Sequence, residues 1–357
     1  MTPILYPADE KTFATMGFGG LPDAIDCKVL EVAKGTFELN MKYPLTGANF
    51  EELAGERIIL ARPAEGRALQ PFRIKSITPS INGTVSVYAL HVSRDADGTP
   101  VKPFEASSLK DALNGLRSNS MTLCPVTLTA DFTRSGKYSQ QAVAPLFERL
   151  GGVEGSIIDV YGGEYEFDRW SIILHQKRGE SNGVEVRYGF NMTDCEMTTD
   201  FSDVYAGCVA FWADQETGET VYGAVQYADD ALLYPIMRIY TYDASADYES
   251  KPTAAQLNSR AAKYLKDNSL AEPKVNIKAS FVDLSHTDQY ADMAPLQQVS
   301  LYDTVTVLYP EVGIKATARV TSCEYDVLKE EYSKIELGNY TRSFASALDA
   351  FIKVISK

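Results

Sequence analysis

The sequence predicts an α+β, multidomain protein: two barrel-like β domains related by an internal repeat, with an α+β module between them. Three observations lead there. The first is a pattern that occurs twice, about 246 positions apart: a short strand opened by a charge, a gap, then a β-hairpin. The first copy runs Glu56-Arg57-Ile58-Ile59-Leu60-Ala61-Arg62-Pro63, then Phe72-Arg73-Ile74-Lys75-Ser76-Ile77, a turn at Ile81-Asn82-Gly83-Thr84, and Val85 to Leu90. The second runs Asp303-Thr304-Val305-Thr306-Val307-Leu308-Tyr309-Pro310, then Ala318-Arg319-Val320-Thr321-Ser322-Cys323, then Ser333 to Leu337, with Arg73 and Ser76 returning as Arg319 and Ser322. The second observation is a pair of helical patterns between the copies, and the third is a length of 357 residues, more than a single core usually supports.

In chain order, residues 1 to 103 read as a barrel-like β domain. Ile25 to Val32 and Phe37 to Tyr43 flank a turn at Lys34-Gly35, and Phe37, Leu39, Met41 and Tyr43 alternate onto one face, as a half-buried strand requires. Asp95 to Pro103 is turn-rich and marks a boundary. The module at 104 to 191 opens with a helix capped by Ser107 or Ser108, carrying Leu109, Ala112, Leu113 and Leu116 at helical spacing. A second helix is expected from Gln140 to Leu150, with strands at Thr122 to Asp131, Ile157 to Tyr161, Trp170 to His175 and Val184 to Tyr188. The second barrel-like domain spans 192 to 340, with strands at Val204 to Trp212, Thr220 to Tyr227 and Met237 to Tyr242. A peripheral insertion at about 213 to 272 includes a helix from Thr253 to Lys266. Thr341 to Lys357 reads as a C-terminal amphipathic helix.

Composition narrows the function classes. The 45% hydrophobic content, with 21 Tyr and 15 Phe, belongs to a folded chain. A net charge of −14 disfavours static binding to phosphate backbones, where Lys and Arg must replace counterions. The five cysteines, Cys27, Cys124, Cys195, Cys208 and Cys323, form no C-x-x-C pair and read as buried thiols of a protein made in a reducing cytosol. Neither a signal peptide nor a run of ~20 apolar residues is apparent, so membrane insertion by this chain is not expected.

The sequence nominates no catalytic, cofactor-binding or metal-ligating residue. His91, His175 and His286 lie in or beside strand patterns without a nucleophile at a recognised spacing. Glu164, Glu166 and Asp168 alternate with Tyr165 and Phe167, the pattern of a solvated hairpin edge rather than of an acid and base pair. Asp229-Asp230 and Asp283 read as turn residues, and Gly17-Phe18-Gly19-Gly20 as a loop, since no strand precedes it and no Lys-Ser or Lys-Thr follows. Trp170, Trp212, Tyr161, Tyr165, Tyr240 and Tyr242 read as core or subunit-contact residues, and Arg73 and Arg319 as outward-facing strand residues.

Three stretches, in order along nearly the whole chain, carry a family likeness. They are Pro3-Ile4-Leu5-Tyr6-Pro7 with Phe37 to Pro44 and Phe72-Arg73-Ile74; Tyr161 to Asp168 followed by Lys177-Arg178-Gly179 and Arg187 to Asn191; and Asp303 to Val307 with Ile335 to Tyr340. Together they resemble the phage tail hub proteins, the N-terminal hub region of tail-associated lysins or prophage endopeptidase tail proteins. The resemblance implies a structural, non-enzymatic baseplate or tail-tip hub in the virion tail, synthesised in the bacterial host cytoplasm. In such a hub, a homotrimer sets two barrel-like domains per subunit into a pseudo-hexameric ring around the tail channel. The internal repeat suits that geometry, since three subunits would present six similar units between a six-fold tube and a three-fold tip. The implied partners are a distal tail protein, a tape-measure protein and receptor-binding or lysin proteins, with DNA only in passage and no cofactor. Larger family members continue into a cell-wall hydrolase or receptor-binding region, whereas this sequence stops at Lys357, so those activities are expected from a separate protein or a continuation of the chain. Two other classes are open: a cell-wall-degrading tail lysin, needing carboxylates such as Glu164 and Asp168 about 5 to 9.5 Å apart, and a carbohydrate-binding tail module with exposed aromatic platforms.

Overall fold

The computed structural model describes residues 1–33, 35–214, 217–229, 231–233, 235–248, 250–281, 299–310 and 314–341. Its first part is all β: β1 (Ile4–Tyr6), β2 (Gly19–Gly20), β3 (Asp26–Val32), β4 (Phe37–Pro44), β5 (Ile58–Ala61), β6 (Gln70–Ser80) and β7 (Thr84–His91). The alternation in β4 is realised, with Phe37, Leu39, Met41 and Tyr43 buried and their neighbours turned outward.

The middle part holds β8 (Pro100–Val101), β9 (Phe104–Ser108), α1 (Leu109–Ser118), β10 (Thr127–Ala130), β11 (Ser135–Gln140), β12 (Ala144–Pro145), α2 (Leu146–Leu150), α3 (Ile157–Tyr161), β13 (Glu164–Asp168), β14 (Ser171–His175) and β15 (Glu185–Arg187). Ser108 caps α1 by accepting from the Asp111 N–H, and Leu109, Ala112, Leu113 and Leu116 form its buried stripe. The expected Gln140 to Leu150 helix is shorter. Pro145 has no N–H to give and holds Ala144 extended, so α2 starts only at Leu146 and Gln140 ends a strand paired with β9. Ile157 to Tyr161 is helical rather than extended: Ile157 and Tyr161, four apart, are both fully buried on one face. The strand expected from Thr122 occupies only Thr127–Ala130.

The last part contains β16 (Met192–Asp200), β17 (Gly207–Ala213), β18 (Thr220–Tyr222), β19 (Gln226–Tyr227), β20 (Ile239–Asp243), α4 (Ala254–Asp267), β21 (Lys274–Phe281), β22 (Thr304–Tyr309), β23 (Ile314–Asp326) and β24 (Glu331–Thr341). Strands β17 to β20 form a four-stranded sheet of their own. Helix α4 packs Leu257, Ala261 and Leu265 with Cys208, Ala210 and Trp212 of that sheet, and a capping box at Thr253 and Gln256 fixes its start. The expected C-terminal helix lies outside the described residues, apart from Thr341, which ends β24.

One thirteen-stranded sheet among the described residues unites the first and last parts, in the order β16-β21-β24-β23-β3-β4-β7-β6-β5-β1-β2, with β22 beside β23 and β15 beside β22. Among the described residues the path does not close, so they form an open, shared sheet and show no closed barrel. Its core is continuous, running from Leu5 and Val29 to Val320 and Leu337. Strand β15 belongs here, paired parallel to β22, although the sequence reading placed it in the middle module. The middle part has a separate core around Leu113, Tyr138, Leu146 and Tyr161. No described helix is long and apolar enough to cross a membrane.

Within the sheet, β3-β4-β7-β6-β5 and β16-β21-β24-β23-β22 have the same order and the same antiparallel senses. Each copy carries a register shift at the same place, between Ile74 and Ser76 in β6 and between Val320 and Ser322 in β23. The repeat therefore covers five strands rather than three. Its register also differs by one residue from the sequence alignment: Ile58 pairs with Arg73 as Thr304 pairs with Arg319, which makes Glu56 equivalent to Tyr302 rather than to Asp303.

Candidate functional site

The two repeated arginines build the most organised polar sites in the molecule, and neither faces outward. Before each first strand lies a residue with left-handed backbone, Glu56 at φ 66° and Tyr302 at φ 74°. The Glu56 N–H donates to the Ile74 carbonyl at 2.9 Å, and the Tyr302 N–H to the Val320 carbonyl at 2.9 Å. Each turn thus aims its own carbonyl at the guanidinium that follows in the next strand. Arg73 Nη1 donates to Glu56 O at 2.7 Å, and Arg319 Nε to Tyr302 O at 3.2 Å.

The remaining donors of each guanidinium hold a carboxylate bidentately. Arg73 binds Asp95 at 2.7 and 2.8 Å, and Asp95 also accepts from Trp170 Nε1 at 3.1 Å. Arg319 binds Glu164 in β13 at 2.7 and 3.0 Å, and Glu164 accepts the Arg178 N–H at 2.6 Å. Both clasps fasten the middle part to the sheet, one through Trp170 and the other through Glu164. Burial works to raise both carboxyl pKa values, but the hydrogen bonds from the paired arginine and from Trp170 or the Arg178 amide hold Asp95 and Glu164 below the usual carboxylate range.

The segment after β14 is shaped for the second clasp. Gly179 has φ +75°, and a Cβ there would lie 2.1 Å from the Tyr302 carbonyl oxygen, so only glycine allows the backbones this close. The next residue, Glu180, donates its N–H to Asp303 Oδ1 at 2.8 Å, and the Thr304 N–H returns to the Glu180 carbonyl at 2.8 Å. A third polar contact crosses the same boundary. Gln70 at the start of β6 donates to Asp168 at 2.9 Å and accepts the Arg169 N–H at 2.8 Å, with the fully buried His91 3.1 Å away. Burial, reinforced by Arg67, pushes the His91 pKa down to about 3.

Residues 180–348 match the model of the prophage endopeptidase tail family. That match contains the second repeat, Arg319 included. No curated protein matches the sequence. Among solved structures, the prophage tail protein gp18 from Listeria monocytogenes EGD-e is similar over 100% of both chains, with a TM-score of 0.60 and 13% identity. The tail protein from Neisseria meningitidis MC58 is similar over 96% of each chain, with a TM-score of 0.60 and 10% identity. The prophage MuSo2 43 kDa tail protein from Shewanella oneidensis covers 89% of this chain and 94% of its own, with a TM-score of 0.57 and 10% identity. At these identities the likeness is one of fold, and the fold is that of prophage tail proteins, in agreement with the family resemblance carried by the sequence.

The other sequence candidates take these positions. The face of β13 expected to be solvated is tied down at each alternate residue: Glu164 to Arg319, Glu166 to His175 at 2.8 Å, and Asp168 to Gln70. Four steps along the extended strand set the Glu164 and Asp168 backbones about 13 Å apart, beyond the spacing of a glycosidase pair. His175 also contacts Asp131 at 2.8 Å. The Trp170 ring is covered by the Lys11 ammonium at 3.7 Å and stacks with Phe13, and Trp212 is buried in the small sheet's core, so neither offers an open platform for a sugar. Cys27, Cys208 and Cys323 are buried, Cys124 and Cys195 half-buried, and all five are free thiols. No described group of three or more His, Cys, Asp or Glu could hold a metal ion. Between the sheet and the middle part lies a cavity of about 800 Å3, walled by Phe37, Leu90, Phe147, Tyr165 and Phe167, with Glu31, paired to Arg67 at 2.5 Å, at its edge.

Proposed function

We propose that the protein is the hub of a phage or prophage tail tip: a homotrimer whose six sheet repeats form a ring that continues the tail channel and anchors the host-contact apparatus. The supporting observation is the five-strand repeat, two copies of which are already joined edge to edge in one chain by pairing of β3 with β23. Three chains supply six such units, a number that mates a six-fold tube above with a three-fold assembly below. Residues 1–103 and 192–340 would furnish the ring units, with the 104–191 module and the lobe at 213–272 around them. The role is geometric rather than catalytic. It relies on rigid clasps such as Arg319 with Glu164, whose carboxylate is committed to an ion pair.

Neighbours in the tail would be a distal tail protein, a tape-measure protein and a receptor-binding or lysin protein, with DNA in transit. The −14 charge suits a channel to which DNA does not adhere. Light scattering over a concentration series tests the reading: the hub requires three times the 39.3 kDa chain mass, about 118 kDa. A particle that stays at the mass of one chain, and does not assemble when mixed with a distal tail protein, contradicts it.

A further inference from the structure

We infer that the segment Arg342 to Lys357 docks on its own chain, laying its apolar side on the open face of the β17–β20 sheet. Helix α4 covers one side of that sheet, through Cys208, Ala210 and Trp212. The alternate residues of β17, Gly207, Val209 and Phe211, therefore lie on the other side. Their strand partners join them there: Tyr222 pairs with Phe211, Tyr227 and Ile239 with Gly207, and Thr241 with Val209. Among the described residues, Val209, Phe211, Tyr222, Tyr227 and Ile239 belong to no hydrophobic core. Tyr222 is 72% exposed and Tyr227 59%, and the link from β19 to β20 adds the exposed Leu232, Ile236 and Met237. Large apolar side chains gathered in this way mark a contact surface.

Position, spacing and charge together name the occupant. Thr341, the last described residue, pairs with Lys274, whose ammonium holds Asp203 at 2.6 Å. The adjacent Phe201 and Ser202 carbonyls each accept from Arg238 at 2.6 Å, and the Arg238 carbonyl accepts the Ala206 N–H at 2.8 Å. The segment thus leaves the sheet at the root of the small lobe, at the end of the open face where Tyr227, Met237 and Ile239 lie. Its Phe344, Leu348, Phe351, Ile352 and Ile355 fall at i, i+4, i+7, i+8 and i+11, one side of the helix that the sequence predicts. From Phe344 to Ile355 such a helix rises about 17 Å, against about 13 Å for the four steps of β17 between the partners of Tyr227 and Tyr222. Residues 214–249 include eight acidic side chains and one basic, Arg238, which is engaged with backbone carbonyls, whereas residues 342–357 include three basic and one acidic. Opposite charge draws the segment toward the lobe.

The docked arrangement sets Phe344 toward Met237 and Tyr227, and Ile355 toward Tyr222. Lys353 lies opposite the apolar side of the helix and stays in water. Docking within one chain is independent of the number of chains in the assembly.

Oxidation of the full chain by hydrogen peroxide, read by mass spectrometry, tests the cover. Met237 and Met121 are 50% and 54% exposed, and Met121 lies in the middle part, remote in sequence from the lobe. A docked segment should slow oxidation of Met237 several-fold relative to Met121, and Phe351→Asp should bring the two rates together. The contact itself is read by placing p-benzoylphenylalanine at position 351 of the full chain, irradiating, and mapping the links. The expected products join residue 351 to β17, β18 or β20 at the mass of one chain, and the same group at position 346, on the opposite side of the helix, should link several-fold less. Equal oxidation of Met237 and Met121 in the parent, links to surfaces other than the lobe, or equal linking from position 346 overturns the inference. Links that join two chains also overturn it, and would give the face to a neighbouring copy.

Discussion

Arg319 shows how much one side chain is asked to hold. It bridges 155 positions of sequence to reach Glu164 and also supports the strained carbonyl of Tyr302. Arg319→Ala leaves Glu164, whose side chain is 13% exposed, without its counter-charge, at a cost of about 3 kcal/mol. The expected outcome is a lower urea midpoint at unchanged slope, with Arg319→Ala and Glu164→Gln clearly non-additive in a double-mutant cycle. The buried His91 gives a pH signature. Its folded pKa of about 3 lies below the unfolded value of about 6.5, so between these limits the unfolded chain binds a proton that the folded chain does not. Stability is therefore complete above about pH 6.5 and declines as pH falls. The depressed Asp95 and Glu164 carboxyls add a second loss only below about pH 4. Denaturation midpoints from pH 4 to 8 should slope in the parent and flatten in His91→Gln; an equally steep variant would contradict this assignment.

At the scale of elements, the polar joints between sheet and middle part depend on short connections with exacting backbone. Gly179→Ala meets both a positive φ and the Tyr302 carbonyl, so it should displace the segment into β15 and lower the melting temperature by more than Ser108→Ala, a lost cap worth about 1 kcal/mol. Calorimetry of the two variants makes the comparison. These joints also explain what the sequence could and could not disclose. Period-two burial in Phe37 to Tyr43 and the capped stripe of α1 are local, and both were legible. The recurrence of Arg73 and Ser76 was legible too. The one-residue offset was not, because it is set by the left-handed turns at Glu56 and Tyr302, and neither residue type advertises a positive φ. Nor could alternation show that Arg73, Arg319 and Glu164 are inward, since a charged residue on a strand reads as solvated until its partner is known. Pro145 was a visible warning that the apolar spacing from Gln140 to Leu150 overrode. The first strand of the repeat left only Asp-Cys twice as its trace, and the fourth only the arginine and the serine.

For the whole molecule, the shared sheet makes the first and last parts one cooperative unit. Leu5 and Val29 belong to the same core as Val320 and Leu337, so probes in either part should melt together. Fluorine labels placed at exposed positions of β4 and β24 would report this, and two separated transitions would contradict it. In an assembled ring of the proposed kind, each interface should bury roughly 2,000 to 5,000 Å2, and the lumen should not be dominated by Lys and Arg. The β3–β23 junction also has a consequence for how the chain is made. During translation Asp26 to Val32 emerge early, but the residues that cover their edge, Ser322 to Asp326, follow about 290 codons later. At ~5–20 residues per second that delay is about 15–60 s. For that time the nascent N-terminal sheet presents a bare strand to its surroundings and to other chains growing on the same message, where the edge of one chain can meet β23 of another before its own arrives.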